Sequence, residues 1–359
     1  MIRVGRLKQL STLFFILLIC NLILSIPGMI KYTIIPVFLI GMGVTNRQKI
    51  NISRFKELFA PSLNYIIFGI VFCFINLFFS FESLKIILLL VISFTVFVLI
   101  VELLPYSVED IIKCQFLSTM FIYVFVDRLG DESQYAFSFG LFILFYVFNM
   151  RDDNRKLAII SIAIAVVLSS FFMGKRLALL LTLLLMCMGL ILRLRKKIYI
   201  KRIYLVFLLF LLYIFSLIYL YLCKHNIFDY IKTNYGILVS GREYILSLFN
   251  PYYEISPLFL GHGLGWAFNK MASYNIAAAG NLHNDLLQVY LDTGFIGFSI
   301  FFWSFNKWFK RRDKTHVGVF LAIIYTVGNY LTDNVLIYIN YWIVLYLVIY
   351  YFRSIQEER

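Results

Sequence analysis

The sequence predicts an all-α, polytopic integral membrane protein with about 12 transmembrane helices and one large external loop. Three observations predict it. The 359 residues are 62% hydrophobic and only 14% charged, where a soluble domain is closer to ~45–50% apolar and ~25% charged. Apolar runs of about 17–22 residues, long enough to cross a bilayer, recur along the chain. The loops between them alternate between basic and charge-poor, as the positive-inside rule requires.

The spans follow in order. The basic opening MIRVGRLKQL leads into span 12–27. A secretory leader starts in the same way, but no A-x-A-like site follows and many further spans do, so this is read as a retained first helix. Pro27-Gly28 separates it from span 29–44. Next come 63–81, 84–104, 111–126, 134–150, 157–173 and 177–192, the last two divided by a helix stop at Gly174. Span 203–223 is the ninth. Residues 224–284 then form an external segment of about sixty residues, where most other loops have ten or fewer. Loops of that length are usually functional or disordered. This one carries Trp266, several tyrosines and helix signals with few charges, so short helices packed on the outer membrane face are expected. Spans 285–305, 316–332 and 335–352 complete the chain. The organisation is therefore 1–223 with nine helices, the loop 224–284, and 285–359 with three helices and a tail. With the N-terminus inside, inner segments carry 24 of the 33 Lys and Arg residues, which fits an even count with both termini cytoplasmic.

The net charge of +14 is read as loop charge that sets orientation and meets anionic lipid headgroups, not as a nucleic-acid surface. The five cysteines lie in or beside apolar runs with no CxxC and no histidine spacing. They read as small packed hydrophobes, with neither a disulfide framework nor a metal site. No DxD pair, GxSxG, HExxH or Walker A sequence is present, so no cofactor and no metal are expected. An already activated, lipid-linked donor suits a membrane enzyme of that kind. The absence of an evident internal repeat weighs against an inverted-repeat transporter.

Four stretches carry candidate chemistry. In 171-FFMGKRLALLL, Lys175 and Arg176 stand at the start of span 8 on the outer side. A cation is unfavourable at a helix N-terminus. Either the two side chains snorkel to headgroups, or a bound anion offsets the cost, since helix N-termini and arginine forks suit phosphate. In 240-SGREYILSLF, Ser240 and Glu243 form a capping-box pattern that places Arg242 in the first turn of a short external helix. Glu243 neutralises that arginine, or Arg242 joins Arg176 around a pyrophosphate. In 257-PLFLGHGLGWAF, Gly261, Gly263 and Gly265 form a turn that lets backbone approach a ligand, or simply a sharp loop, with His262 as a loop hydrogen-bonding group. No strand precedes it, which excludes a dinucleotide fingerprint.

The fourth stretch is 281-NLHNDLLQVYLDTGFIGF. Asn284 is a good N-cap and Asp285 suits the first turn. On a helical wheel Asp285, Gln288 and Asp292 form a polar stripe entering the membrane, which calls for a cavity or a partner. Gly294 and Gly297 allow close helix packing. His283 stands just outside the helix, at the outer rim. Leading such a stripe, it is a candidate for handling a proton.

These residues resemble those of the O-antigen ligase and O-antigen polymerase (Wzy-type) superfamily. The likeness is strongest at His283-Asn284, nine residues, then Gly294-Phe-Ile-Gly297, similar to the family's H[NSQ]-x9-GxxG pattern. Ser240-Gly241-Arg242, Gly261-His-Gly-Leu-Gly265 and Gly174-Lys-Arg176 support it. The family pattern often continues with two threonines; Phe298-Ser299 stand there here. The resemblance implies a GT-C-like helical fold and metal-independent glycosyl transfer on the outer face of the bacterial inner membrane. It implies an undecaprenyl-pyrophosphate-linked glycan as donor and acceptor, with membrane lipids and a chain-length regulator protein as partners. Carried over by motif, Arg176 and Arg242, with Lys175 beside them, hold the pyrophosphate. His283 is the base toward the acceptor hydroxyl. Asn284, Asp285, Gln288, Gly261, Gly263 and Gly265 support the site. The N-terminus of span 10 is expected to help hold the anion. The threonine departure and the tyrosine-rich outer surface favour a repeat-unit polymerase. The alternatives are a ligase that moves finished glycan to lipid A-core and, among non-enzymes, a lipid-linked oligosaccharide flippase.

Overall fold

Long apolar helices are the only backbone arrangement, other than a closed barrel, that satisfies its own hydrogen bonds in lipid. The computed structural model describes residues 2–25, 34–37, 40–41, 51–126, 135–151, 153–172, 176–196, 198–235, 243–274, 282–309, 314–331 and 333–355. Its main elements are α1 (Ile2–Ser25), α2 (Ala60–Ile75), α3 (Phe81–Leu103), α4 (Val108–Phe125), α5 (Ser138–Asn149), α6 (Arg155–Phe172) and α7 (Arg176–Leu194). Then come β1 (Tyr199–Lys201), α8 (Arg202–Lys224), the short α9 (Ile227–Tyr235), α10 (Glu243–Phe249) and α11 (Trp266–Ser273), and α12 (Asp285–Ser304). β2 (Lys314–His316), α13 (Val317–Tyr330) and α14 (Ile339–Ser354) end the chain.

Local signals start the helices. Pro61 sits in the first turn of α2, where its missing N–H costs nothing. Ser80 caps α3 by accepting from Ser83 N at 3.1 Å, and Ser107 caps α4 by accepting from Asp110 N at 3.1 Å. Among the described residues, four segments are long and apolar enough to cross a membrane: Arg6–Leu24, Phe81–Leu103, Arg202–Lys224 and Asp285–Trp308. Ala60–Ile75, Ser138–Asn149, Leu179–Leu194 and Val317–Tyr330 are apolar but shorter. The expected span 29–44 lies largely outside the described residues.

Burial sorts the helices. All of α5 but its penultimate residue, and α14 from Ile339 to Phe352, are buried. α8 exposes Phe207, Phe210, Phe215 and Ile218. An apolar helix buried all round is central, and one exposing apolar side chains faces lipid. Polar groups tie the centre together. Gln115 donates to Asn21 at 3.2 Å and to Asn340 at 2.9 Å, and Asn340 donates to Ser138 at 3.1 Å. Such links hold helices where lipid supplies no hydrophobic contrast.

One feature departs from the all-helical expectation. β1 and β2 pair antiparallel, Ile200 opposite Thr315. β1 comes after α7, and β2 comes after α12 and the 3-10 turn Phe305–Trp308, so two connectors run extended side by side at the same end of the bundle. Ion pairs that join helix ends to one another and to the 51–59 connector also gather at that end. Arg353 pairs with Glu57 at 2.5 Å, Arg54 with Glu102 at 3.7 Å, and Arg6 with Asp110 at 3.8 Å. Arg202 donates to Asn306 at 3.0 Å. We call this the basic end; His283, at the opposite end of α12, marks the other.

Candidate active site

α12 begins where the site begins. Asn284 is its N-cap: Oδ1 accepts from Leu287 N at 2.9 Å, while Nδ2 donates to Tyr219 on α8 at 2.7 Å. His283 precedes it with φ +51°, a left-handed conformation uncommon for a residue with a Cβ. Such strain persists only where neighbours fix it, and it gathers at functional sites. Here Leu282 and Asn284 are both buried, whereas the His283 side chain is partly exposed at 29%.

The residue facing His283 is Asp333, fully buried in the turn before α14. Its Oδ1 lies 3.5 Å from His283 Nδ1 and accepts from Tyr338 Oη at 3.1 Å and from Asn334 N at 2.8 Å. A carboxylate at Nδ1 holds that nitrogen protonated and leaves Nε2 as the basic one. Catalytic hydrogen bonds are often long before substrate binds. Sequence reasoning passed over Asp333; its signal was an acid in the short turn between two apolar segments, 331-LTDNV.

The polar stripe turns to protein partners, not to an open cavity. Asp285 Oδ2 accepts from Leu336 N at 2.8 Å, which fastens α12 to the 3-10 turn Val335–Ile337. Asn284 meets one first-turn N–H of α12, that of Leu287, with Asp285 buried beside it. Gln288 donates to Tyr65 Oη at 3.2 Å, and Tyr65 donates to Asp292 Oδ2 at 2.7 Å. Asp292 also accepts from Gly265 N at 3.1 Å and Ala267 N at 3.4 Å. Asp292 thus anchors the start of α11, where unsatisfied N–H groups favour a carboxylate.

The glycine-rich turn docks in the same place. α12 breaks at Gly294, with φ 63° and ψ −174°, a combination essentially confined to glycine. The break frees backbone groups, and the 259–265 segment satisfies them. His262 N donates to Leu291 O at 2.8 Å, Gly263 N to Asp292 O at 3.0 Å, and Phe295 N to Phe259 O at 3.0 Å. A Cβ on Gly261 would stand 2.4 Å from Asp292 O, and one on Gly294 2.5 Å from Gly261 N. Of the two readings left open for this turn, the backbone approach is therefore to α12. Gly294 is likewise a break that admits this loop, while Gly297 packs near Phe68 of α2.

His262 closes the loop. Its Nε2 lies 2.6 Å from Tyr252 O, and its ring stacks on Trp266 at 4.0 Å. Burial pushes its pKa below the ordinary value, against the hydrogen bond to Tyr252. The unfolded chain therefore takes up a proton that the folded loop resists. This contribution is complete above about pH 6.5, the unfolded value, and is lost as pH falls through the lower folded value. We expect the melting temperature to drop on acidification in that window and His262→Gln to flatten the drop. Equal slopes in both proteins would remove His262 from the account.

Of the proposed anion-holding residues, Arg176 is the first residue of α7. Lys175 and Arg242 lie outside the described residues, as does Ser240; the short helix expected after it is described from Glu243. Three other cations at the His283 end are engaged by protein. Lys224 reaches Asn250 O and, at 2.5 Å, Tyr253 O. Lys270 lies over Tyr252 at 4.6 Å, and Lys85 pairs with Glu82 at 3.1 Å. Phe298 and Ser299 face α8, Ser299 Oγ lying 2.7 Å from Tyr213 Oη and the Phe298 ring 6.1 Å from that of Tyr213.

Comparison with protein families places residues 161–302 on the family model described as O-antigen ligase. No curated protein and no solved structure matches the chain.

Proposed function

We propose that this chain, whose residues 161–302 belong to the O-antigen ligase family, joins undecaprenyl-pyrophosphate-linked repeat units into O-antigen or capsular polysaccharide. The reading places the reaction at the outer face of the bacterial inner membrane, on twelve spans in a GT-C-like arrangement with both termini cytoplasmic. The observation that carries it is His283, held in a strained conformation at the mouth of α12 with Nδ1 toward buried Asp333. That pairing is what a general base requires: a nucleophile's proton acceptor oriented by a third group.

The acceptor hydroxyl oxygen attacks the anomeric carbon of the donor glycan. The bond from that carbon to the phosphate oxygen breaks, and the pyrophosphate leaves on its lipid carrier with the bonding pair. The hydroxyl proton passes to Nε2 of His283. Arg176 and Arg242, with Lys175 beside them, meet the charge developing on the leaving pyrophosphate. Asn284 and Asp285 act by position, fixing α12 to α8 and to the turn that carries Asp333. Gln288 steadies Tyr65, which donates to Asp292, and the glycines Gly261, Gly263 and Gly265 seat the 259–265 segment on that helix.

Asp333 is a positioning residue in this reading. Asp333→Asn is expected to lower kcat by at least about tenfold with little change in KM, because it disturbs the orientation and tautomer of the base and leaves donor binding intact. A rise in KM with kcat preserved would assign Asp333 to binding instead.

The Phe298-Ser299 pair and the exposed Tyr230, Tyr235 and Tyr244 of the outer segment support polymerase over ligase, since aromatic faces suit sugar rings. The second reading is transfer of finished glycan to lipid A-core, which fits the same family match. Acceptor competition decides between them. Purified protein given lipid-linked repeat units and lipid A-core together is expected to produce a ladder of lipid-linked chains. Product appearing only on lipid A-core would select the ligase.

A further inference from the structure

A cavity of about 780 Å³ lies between α6 and α7 toward the basic end, lined by Arg151, Arg155 and Arg193 and otherwise by apolar side chains such as Ile162, Val166 and Leu190. We propose that this cleft binds an anionic phospholipid, its acyl chains along the apolar walls and its phosphate between the three arginines. The proposal does not depend on the catalytic reading.

The dimensions and the chemistry both point to a lipid. The lining on α6 runs from Arg155 to Val167, a twelve-residue advance and so about 18 Å of helix. That is more than half of a ~30 Å hydrocarbon core, the reach of an acyl chain from headgroup level past the midplane. The volume falls within the roughly 300–1,000 Å³ of specific small-molecule sites. Ile159 and Val167 are about half exposed, at 50% and 49%, so the cleft opens sideways to the bilayer as an entering lipid requires.

The charge sits only at one end. Arg155 is exposed at the start of α6, and among the described residues it makes no ion pair. Arg151 is 65% exposed and meets Glu109 only at 4.0 Å. Arg193 donates from Nη1 to Val147 O at 2.6 Å, which fixes its guanidinium at the rim. Basic residues at the boundary set topology in any membrane protein. Here three converge on a walled apolar cleft from two helices and the turn before α6, which is the form of an acidic-headgroup site.

The test uses full-length protein in detergent, with phosphatidylglycerol and phosphatidylcholine of matched chains as probes and lipid retention read by native mass spectrometry. Wild type is expected to keep phosphatidylglycerol at least about tenfold better than phosphatidylcholine. R151A/R155A is expected to lose about fivefold per arginine removed. Inorganic phosphate should not displace the lipid, because the walls contribute to binding. Ala163→Phe, which fills the apolar part without altering charge, should also lower retention. That second variant keeps the test decisive if an arginine variant fails to fold. Equal retention of the two lipids, full retention by R151A/R155A, displacement by phosphate, or preference for a polyprenyl phosphate would each overturn the proposal.

Discussion

His283→Asn is expected to reduce chain growth by about 10²–10⁴-fold, the usual contribution of a positioned general base, while leaving the protein folded and inserted. Asparagine is the informative choice. It tolerates the left-handed backbone that His283 adopts at φ +51°, it keeps a polar side chain toward Asp333, and it has no basic nitrogen. Alanine removes the base too, but adds backbone strain to the comparison. Donor binding should survive in His283→Asn, since the pyrophosphate is assigned to Arg176 and Arg242. Arg242→Ala should abolish growth by a different route, with weakened donor binding. A variant lacking the His283 imidazole but growing chains at the wild-type rate would take proton transfer away from this residue.

The second large effect is structural. Gly294→Ala is expected to destabilise the protein by roughly 2–6 kcal/mol, combining strain of about 1–3 with overpacking of about 1–3. The backbone at φ 63° and ψ −174° excludes a Cβ, and the added atom would stand 2.5 Å from Gly261 N and 2.6 Å from Phe259 O. Gly261→Ala meets the same junction from the other side, 2.4 Å from Asp292 O. Both should lower the yield of folded protein and the melting temperature, whereas an alanine at Gly41, whose Cβ meets nothing within 4 Å among the described residues, should not. Wild-type melting for Gly294→Ala would mean that the docking of the 259–265 segment does not depend on the break in α12.

These cases show what was legible in the sequence. The helices were, because each apolar run must bury its backbone polar groups locally; α2 to α8 and α12 to α14 fall on the segments that hydropathy marks. The cap at Asn284 was legible too, since its partner Leu287 N is three residues on. The purpose of Asp292 was not. Its partners are Tyr65, 227 residues away, and the start of α11, and no periodicity connects them. Gly294 in H[NSQ]-x9-GxxG looked like a helix-packing glycine because a helical break and a packing glycine leave the same mark in a sequence. Asp333 was missed for a related reason: its pairing with His283 exists only once α13 has returned the chain to the same end of the bundle. The β1–β2 pair, three residues per strand, is too short to carry a pattern.

The most direct test of the central claim is the stoichiometry of carrier release. Purified protein is supplied with undecaprenyl-pyrophosphate-linked repeat units, and released undecaprenyl pyrophosphate is measured against glycosidic bonds formed. The account predicts one carrier released for each bond, a growing ladder of chain lengths, and neither product from His283→Asn. Movement of the lipid-linked glycan across a bilayer with no carrier released, or wild-type release from His283→Asn, would contradict it.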